Sequence, residues 1–527
     1  MATVRDRYVP RMPPRNPWLA DSVYPISHHD PAATEAVMHA GPTTGKALSI
    51  ADIGRVPALF TSNPTVKTVG GRTIVIAAGL DGIRKIDATD EAFELVSYTP
   101  YPGFESLAAS ATPSRVQAVL EETNAARRAN DDGKLIALGK KAAELGLTHR
   151  NMANGGYNLI DRDGCHFAPY GGLRIVKTSD QNDPSKPLRV VAVKDFDSAV
   201  PASKTSRIVG LGMTYDGNIA AAADGALLLV DRDLALKGTL LLPGEQIENG
   251  ICTDDNGGIY VVTSKRMLKV VWTGSKLSYD EADGGWQAEY NTMSSEQAIA
   301  SGALTRSGGS GTTPTLLGFG DDPDKLVVIA DADPRGTNLV AFWRDKIPEG
   351  FRRKPGTKSA RIADQIRIDI SRSTIEPSPA VLGNGIVVLN TSYPKPVPDI
   401  WANAMTAGVT RPAPTGAQKL VWNAQAKAFE KAWLSNEVDN TDLMVPLISA
   451  KSGLVYAATK QRGNYEYIGI DWDTGETKAR WQFPDDSRVW NCYGGITTLL
   501  ENGDLLLGGL FAIKRVRIGN GNGGKRP

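Results

Sequence analysis

The chain has 527 residues, 41% of them hydrophobic and 22% charged, with 59 basic against 58 acidic residues for a formal net charge of +1. That balance leaves no electrostatic footprint for DNA, RNA or an anionic membrane, and the apolar fraction is ample for a large core. Cys165, Cys252 and Cys492 lie far apart without a CxxC or CxxCH motif, which excludes a disulfide framework, a zinc ribbon and a c-type haem site.

The N-terminal stretch holds arginines but no apolar run of signal-peptide length. No window approaches the roughly 18 apolar residues of a membrane span. A cytoplasmic protein with no nucleic-acid or membrane partner is expected. Residues 1–55 read as an arm, in which His28-His29-Asp30 is expected to be a solvated turn; reaching over the body of the molecule to bind metal or substrate is the functional alternative. The first strand unit, TVGGRTIVIAAGLDGIRKIDATDEAFELV, turns at Gly70-Gly71. An insertion at about 104–149 then predicts two helices. One opens at Thr112-Pro113, an N-cap followed by proline at N1, and runs to the break at 130–133. The next runs from Lys134 to about Leu145, where Gly146 is placed to cap it. Val116, Val119 and Leu120 give the first helix an apolar side. It would pack on strand edges, cover a channel mouth as a lid, or pair with another subunit.

The strand units resume with NLIDRDGCHFAPYGGLRIV, turning at Asp163-Gly164. Cys165 and His166 are neighbours there and point to opposite faces of a strand, so they read as a packed thiol beside a polar-face imidazole rather than a nucleophile pair. Further units turn at Asp216-Gly217, Asn256-Gly257, near Pro323, and at Asn384-Gly385, Lys451-Ser452-Gly453 and Asn502-Gly503. Asn-Gly and Asp-Gly suit these places because both central residues of a type I′ turn need positive φ. The eight first turns are 40 to 93 residues apart, and a four-stranded propeller blade needs about 40. The expected fold is all-β: an eight-bladed β-propeller, or seven-bladed as the alternative, over residues 56–517 with a small helical insertion. The last unit stops near Arg517 with three strands, and a segment before residue 65 would supply the fourth and close the ring. Residues 518–527 form a glycine-rich tail.

In a propeller the first strand of each blade lines the channel, so polar residues just before each first turn converge although they are distant in sequence. Those stretches supply Glu248 and Asn249, Thr312 and Thr313, Glu376, Asn440 and Asp442, Tyr493, and Asn158. Glu248 and Glu376 each follow an isoleucine and each lie nine residues before a turn glycine, Gly257 and Gly385. Equivalent places on rotated blades put both carboxylates at similar depth, with Asp442 arriving at a similar height. Crowded carboxylates need a cation, a shared proton or water between them. Glu248, Asn249, Asn440 and Asp442 offer hard oxygen ligands for calcium or magnesium, with Glu248, Glu376 and Asp442 as catalytic candidates. Asn158, Thr312, Thr313 and Tyr493 are candidates for contacting substrate. The bland alternative is that these groups cap strand ends and hold water. The stretch SGGSGTTPT (307–315) lacks a P-loop lysine and reads as a mobile loop leading into a blade rather than an anion cradle.

Two resemblances are carried by short stretches. YEYIGIDWDTGETKARWQF resembles the repeat of quinoprotein-type eight-bladed propellers, with its Asp, Thr-Gly turn and docking Trp, here Trp481. ENGICTDDNGGIYVVTS is similar to the inner strand of gluconolactonase and strictosidine-synthase-like propellers. The first resemblance implies a PQQ-dependent dehydrogenase whose quinone stacks on a disulfide of adjacent cysteines. No two cysteines are adjacent here, so PQQ is disfavoured. The family's calcium set would be sought among Glu248, Asn249 and Asp442. The second implies strand placement, with lactonase-like hydrolysis as the first reaction type and lyase or isomerase chemistry on the same groups. An enzyme acting on a small molecule and a non-catalytic binding propeller both stand as readings, and self-association is open.

Overall fold

The computed structural model describes residues 10–518 apart from 62, 145–153, 202–204, 304, 306, 372 and 398–399. The expected cap at Leu145-Gly146, His149 and the C-terminal tail beyond 518 lie outside the described residues. Eight antiparallel sheets follow one another along the chain and form a β-propeller. Their inner strands begin at Thr65, Leu159, Ile208, Cys252, Thr315, Ala380, Leu447 and Thr498, which defines blades one to eight. Each blade is built from short, largely buried runs. The second and third strands of blade three, Ile219–Ala223 and Ala226–Val230, are buried at every position. Small alanines on one strand and leucines on the next let neighbouring sheets approach closely. Elsewhere large rings do this work: Trp343 and Trp422 meet edge to face with centroids 6.0 Å apart, joining blades five and six.

The ring closes through the N-terminal segment. Ile53–Thr61 pairs antiparallel with Gly509–Val516 and supplies the fourth strand of blade eight. Before it reaches that edge, the arm adds Ala36–Val37 and Lys46–Ala47 in parallel to the inner and outer edges of blade seven. Trp481, from the stretch that resembles a quinoprotein repeat, is fully buried, and its indole donates to the Thr44 carbonyl of the arm.

The helices lie in connections between blades, except for one inserted between the second and third strands of blade six. The link from blade one to blade two holds α1 (Glu105–Ser110), α2 (Pro113–Arg128) and α3 (Asp132–Glu144). Thr112 caps α2 by accepting from the Arg115 N–H, as its sequence predicts. Helix α2 buries Val116 and Leu120 in the core shared with blades seven and eight. Its Asn124 and Arg127 bind Ser487 and the Asp486 carbonyl. Two further helices, α4 (Ser295–Ser301) and α5 (Ile400–Thr406), have no counterpart in the sequence reading. Among the described residues no helix is long and apolar enough to cross a membrane.

Candidate functional site

The arm decides the geometry of the channel. Asn16 donates to the Met213 and Thr214 carbonyls of blade three, and Trp18 lies between the guanidiniums of Arg162 and Arg232, 3.8 and 4.8 Å from its ring. A side chain at Gly217 would strike that indole, and Gly217 also sits at φ +87°, so glycine is required there twice over. From this anchor the arm enters the ring and pairs in turn with the inner strands: Tyr24 with blade one, Ser27 with blade two, Pro31 with blade four, Ala32 with blade five, Thr34 with blade six and Glu35 with blade seven. His28 and His29 are buried at 4% and 6% exposure. This corrects the expected solvated turn. The channel offers the arm a ring of unpaired strand edges, and its backbone satisfies them, carrying both imidazoles inside.

At the centre Glu35 joins the two histidines. Its Oε1 meets His28 Nδ1 and its Oε2 lies 3.1 Å from His29 Nδ1. The far ring nitrogens reach Thr313 Oγ1 at 3.2 Å and Thr498 Oγ1 at 3.0 Å. Ser378 Oγ lies 3.2 Å from His28 Nδ1. Burial alone would raise the Glu35 carboxyl, but the two imidazoles outweigh it and hold it below its ordinary value.

Above this floor stand the carboxyls anticipated from spacing. Glu376, at the start of blade six, takes hydrogen bonds from Thr305 Oγ1 at 2.5 and 2.6 Å. Burial pushes it up to about 8; the Thr305 bond opposes the rise and the charge of Glu248 adds to it. Its carboxyl presses on Gly311, where an added Cβ would lie 1.7 Å from Oε2. Glu248 accepts from the Ser307 N–H. Asn249 donates to the Gly311 carbonyl at 2.7 Å and accepts from the Tyr157 hydroxyl. The 307–313 loop is therefore pinned between the carboxyls of blades four and six, with Ser310 N–H bound to the Tyr290 hydroxyl as well. Among the described residues neither Glu248 nor Glu376 forms an ion pair, although Arg207 feels the charge of Glu248. A small polar cavity of about 20 Å³, room for one water, lies behind Glu376 and is lined by Thr305, Asp331, Thr337 and Thr374. A groove of about 490 Å³ between blades five and six shares its Thr374 wall.

Asp442 meets a different environment. Its Oδ1 is 3.3 Å from Arg488 Nη1, and both side chains are buried. Burial raises its carboxyl, but Lys460 and Arg488 outweigh that and hold it low. Arg488 also donates to the Tyr465 hydroxyl at 2.5 Å. Asn440 Oδ1 accepts from the Met444 N–H. The four expected ligands thus fall into two groups, Glu248 with Asn249 and Asn440 with Asp442. Among the described residues no group of three or more His, Cys, Asp and Glu side chains is arranged to hold a metal ion. Of the substrate-contact candidates, Tyr493 is half-buried with its ring edge-on to Phe60. Thr312 and Thr313 are fully buried. Asn158 is saturated by Asn63, Gly155, Thr65 and His166. His166 is itself driven down to about 3 by burial and by the charge of Lys67, so it is a neutral prop for Asn158.

Sequence reasoning missed Glu35 and Tyr157 as parts of one polar unit with His28. The usable signal was the density of polar residues between Ser27 and Glu35 in an arm bounded by apolar positions.

No family model matches the chain. An uncharacterized protein of Archaeoglobus fulgidus is 31% identical over 293 residues, covering 51% of this chain and 53% of that protein, so the chain spans about half the length of that curated relative. Among solved structures, the Dos1 propeller is similar at 10% identity, with 67% of this chain and 91% of that chain covered and a TM-score of 0.38. U3-55K is similar at 8% identity, 79% and 92% coverage and a TM-score of 0.36. A Bacteroides fragilis protein provisionally named a 6-phosphogluconolactonase is similar at 10% identity, 61% and 81% coverage and a TM-score of 0.36.

Proposed function

We propose that this propeller is an enzyme acting on a small organic molecule at the mouth of the channel by acid–base chemistry, with ester or lactone hydrolysis as the reaction. The observation that carries the reading is Glu376, a carboxyl that forms no ion pair among the described residues, pressed over Gly311 and facing the charge of Glu248. A carboxyl that keeps its proton near neutral pH beside a second carboxyl is what acid–base catalysis needs, the first as acid and the second as base. In the reaction, Glu248 takes a proton from water as the water oxygen bonds to the carbonyl carbon. Glu376 then gives its proton to the departing alkoxide as the carbon–oxygen bond breaks, leaving acid and alcohol as products. The Thr305 hydroxyl keeps the Glu376 carboxyl oriented through both steps.

The test uses 4-nitrophenyl acetate, δ-valerolactone and δ-gluconolactone with the full chain at neutral pH. Turnover above buffer, falling at least about 10²-fold in both Glu248→Gln and Glu376→Gln, supports the reading. Equal rates in wild type and variants, or no turnover of any substrate, rejects it in favour of a binding propeller.

A further inference from the structure

We propose that Tyr157 is a catalytic acid–base group of the channel mouth, supplied with protons by a relay through Thr313 to His28 and Glu35; this rests on reading the mouth as an active site. The Tyr157 hydroxyl donates to Asn249 Oδ1 and lies 3.4 Å from Thr313 Oγ1. Thr313 Oγ1 lies 3.2 Å from His28 Nε2, and His28 Nδ1 rests on Glu35. Exposure falls along this line. Tyr157 is partly exposed, whereas Thr313 and Glu35 are at 0% and His28 at 4%.

Three features separate this unit from ordinary polar packing. Its order, hydroxyl to imidazole Nε2 and Nδ1 to carboxylate, is the one in which a carboxylate fixes the imidazole tautomer and stabilises its charged form. Thr313 is sealed from the channel, so its hydroxyl cannot itself attack a substrate. A hydroxyl that both donates and accepts can, however, pass a proton on. The only member that opens to the mouth is Tyr157, within electrostatic reach of Glu376. The backbone of the arm also accepts a cost to hold the arrangement. His28, His29, Ala33 and Glu35 have φ of 70°, 74°, 57° and 56°, the left-handed region that non-glycine residues seldom adopt. Such conformations persist where the surroundings over-determine them, and they cluster at functional sites.

The proton count closes. While the departing oxygen is served by Glu376, Tyr157 gives its hydroxyl proton to the carbonyl oxygen of the substrate as the water adds. Its phenolate takes the Thr313 hydroxyl proton, and Thr313 is refilled from Nε2 of a charged His28. His28 is left neutral, keeping its Nδ1 proton in the hydrogen bond to Glu35, and the proton that returns to Tyr157 as the carbonyl re-forms resets the chain. In this scheme Thr313, His28 and Glu35 are positioning residues.

The test needs no substrate. A proton held between His28 and buried Glu35 should give a proton NMR resonance far downfield of the amides, identified by its loss in Glu35→Gln. Expected is that this resonance moves in Tyr157→Phe and in Thr313→Val, and returns in Thr313→Ser. An unchanged resonance in Tyr157→Phe, or none in the wild type, overturns the relay. Tyr157→Phe removes one partly exposed oxygen and decides the matter alone should Thr313→Val not fold. A coupled resonance in a protein that hydrolyses no ester or lactone would sustain the wiring and reject the substrate class. Hydrolysis with an uncoupled resonance would do the reverse.

Discussion

Two buried carboxyls at neighbouring blade starts behave in opposite ways. Glu376 opens blade six and forms no ion pair among the described residues, and burial drives it up to about 8. Asp442 opens blade seven beside Lys460 and Arg488, which hold it low despite its burial. The fold delivers both to the same face by the same topology. Chemistry separates them because the Arg488–Trp490 turn leading into blade eight returns a guanidinium to Asp442, whereas among the described residues Glu376 meets the Gly311 backbone, the Thr305 hydroxyl and the charge of Glu248. Under the proposed function Asp442 is a structural ion and Glu376 the group that exchanges a proton.

The comparison can be broken from either side. Glu376→Gln should lower hydrolysis by about 10²–10⁴-fold while leaving the fold intact, whereas Asp442→Asn should act first on stability; steady-state rates beside urea midpoints show which. Arg488→Met takes the guanidinium from buried Asp442, leaving it only the more distant charge of Lys460, and should cost up to about 3–5 kcal/mol in urea unfolding. Gly311→Ala drives a methyl into Glu376 and Thr305, and about 1–3 kcal/mol of stability should go with the displaced carboxyl.

The pH dependence sharpens the contrast further. Glu376 binds its proton more tightly folded than unfolded, so its contribution is full at low pH and declines as pH rises from about 4.5 towards about 8. Asp442 releases its proton more readily when folded, so its contribution holds above the ordinary aspartate range and is lost as pH falls through the lowered folded value. Glu376→Gln should remove the alkaline decline and keep the acid one, as followed by unfolding midpoints across pH. The smallest effect belongs to the helical insertion. Arg128 binds Asp486 at the exposed surface, and Arg128→Ala should leave the midpoint unchanged.

Much of the architecture is legible from turn chemistry. Asn-Gly and Asp-Gly pairs mark the strands of most blades, and the missing fourth strand of blade eight points to the N-terminal segment that fills it. The paired spacing of Glu248 and Glu376 before their turns brings them to one mouth. Two things were illegible. The path of the arm depends on hydrogen bonds to seven inner strands spread over more than 400 residues, and nothing local in Ser27–Glu35 states that a channel will receive it. The separation of Asp442 from the other carboxyls depends on Arg488, 46 positions later and on another blade. Long-range partners of this kind leave no periodic trace.

The central claim is that Glu376 stays protonated at neutral pH beside a charged Glu248. Infrared difference spectra of the wild type against Glu376→Gln, taken across pH, test it directly. A protonated-carboxyl band that is present at pH 7, absent from the variant and lost from the wild type near pH 8 is the expected result. A spectrum in which every carboxyl is already ionised at pH 7 would contradict it.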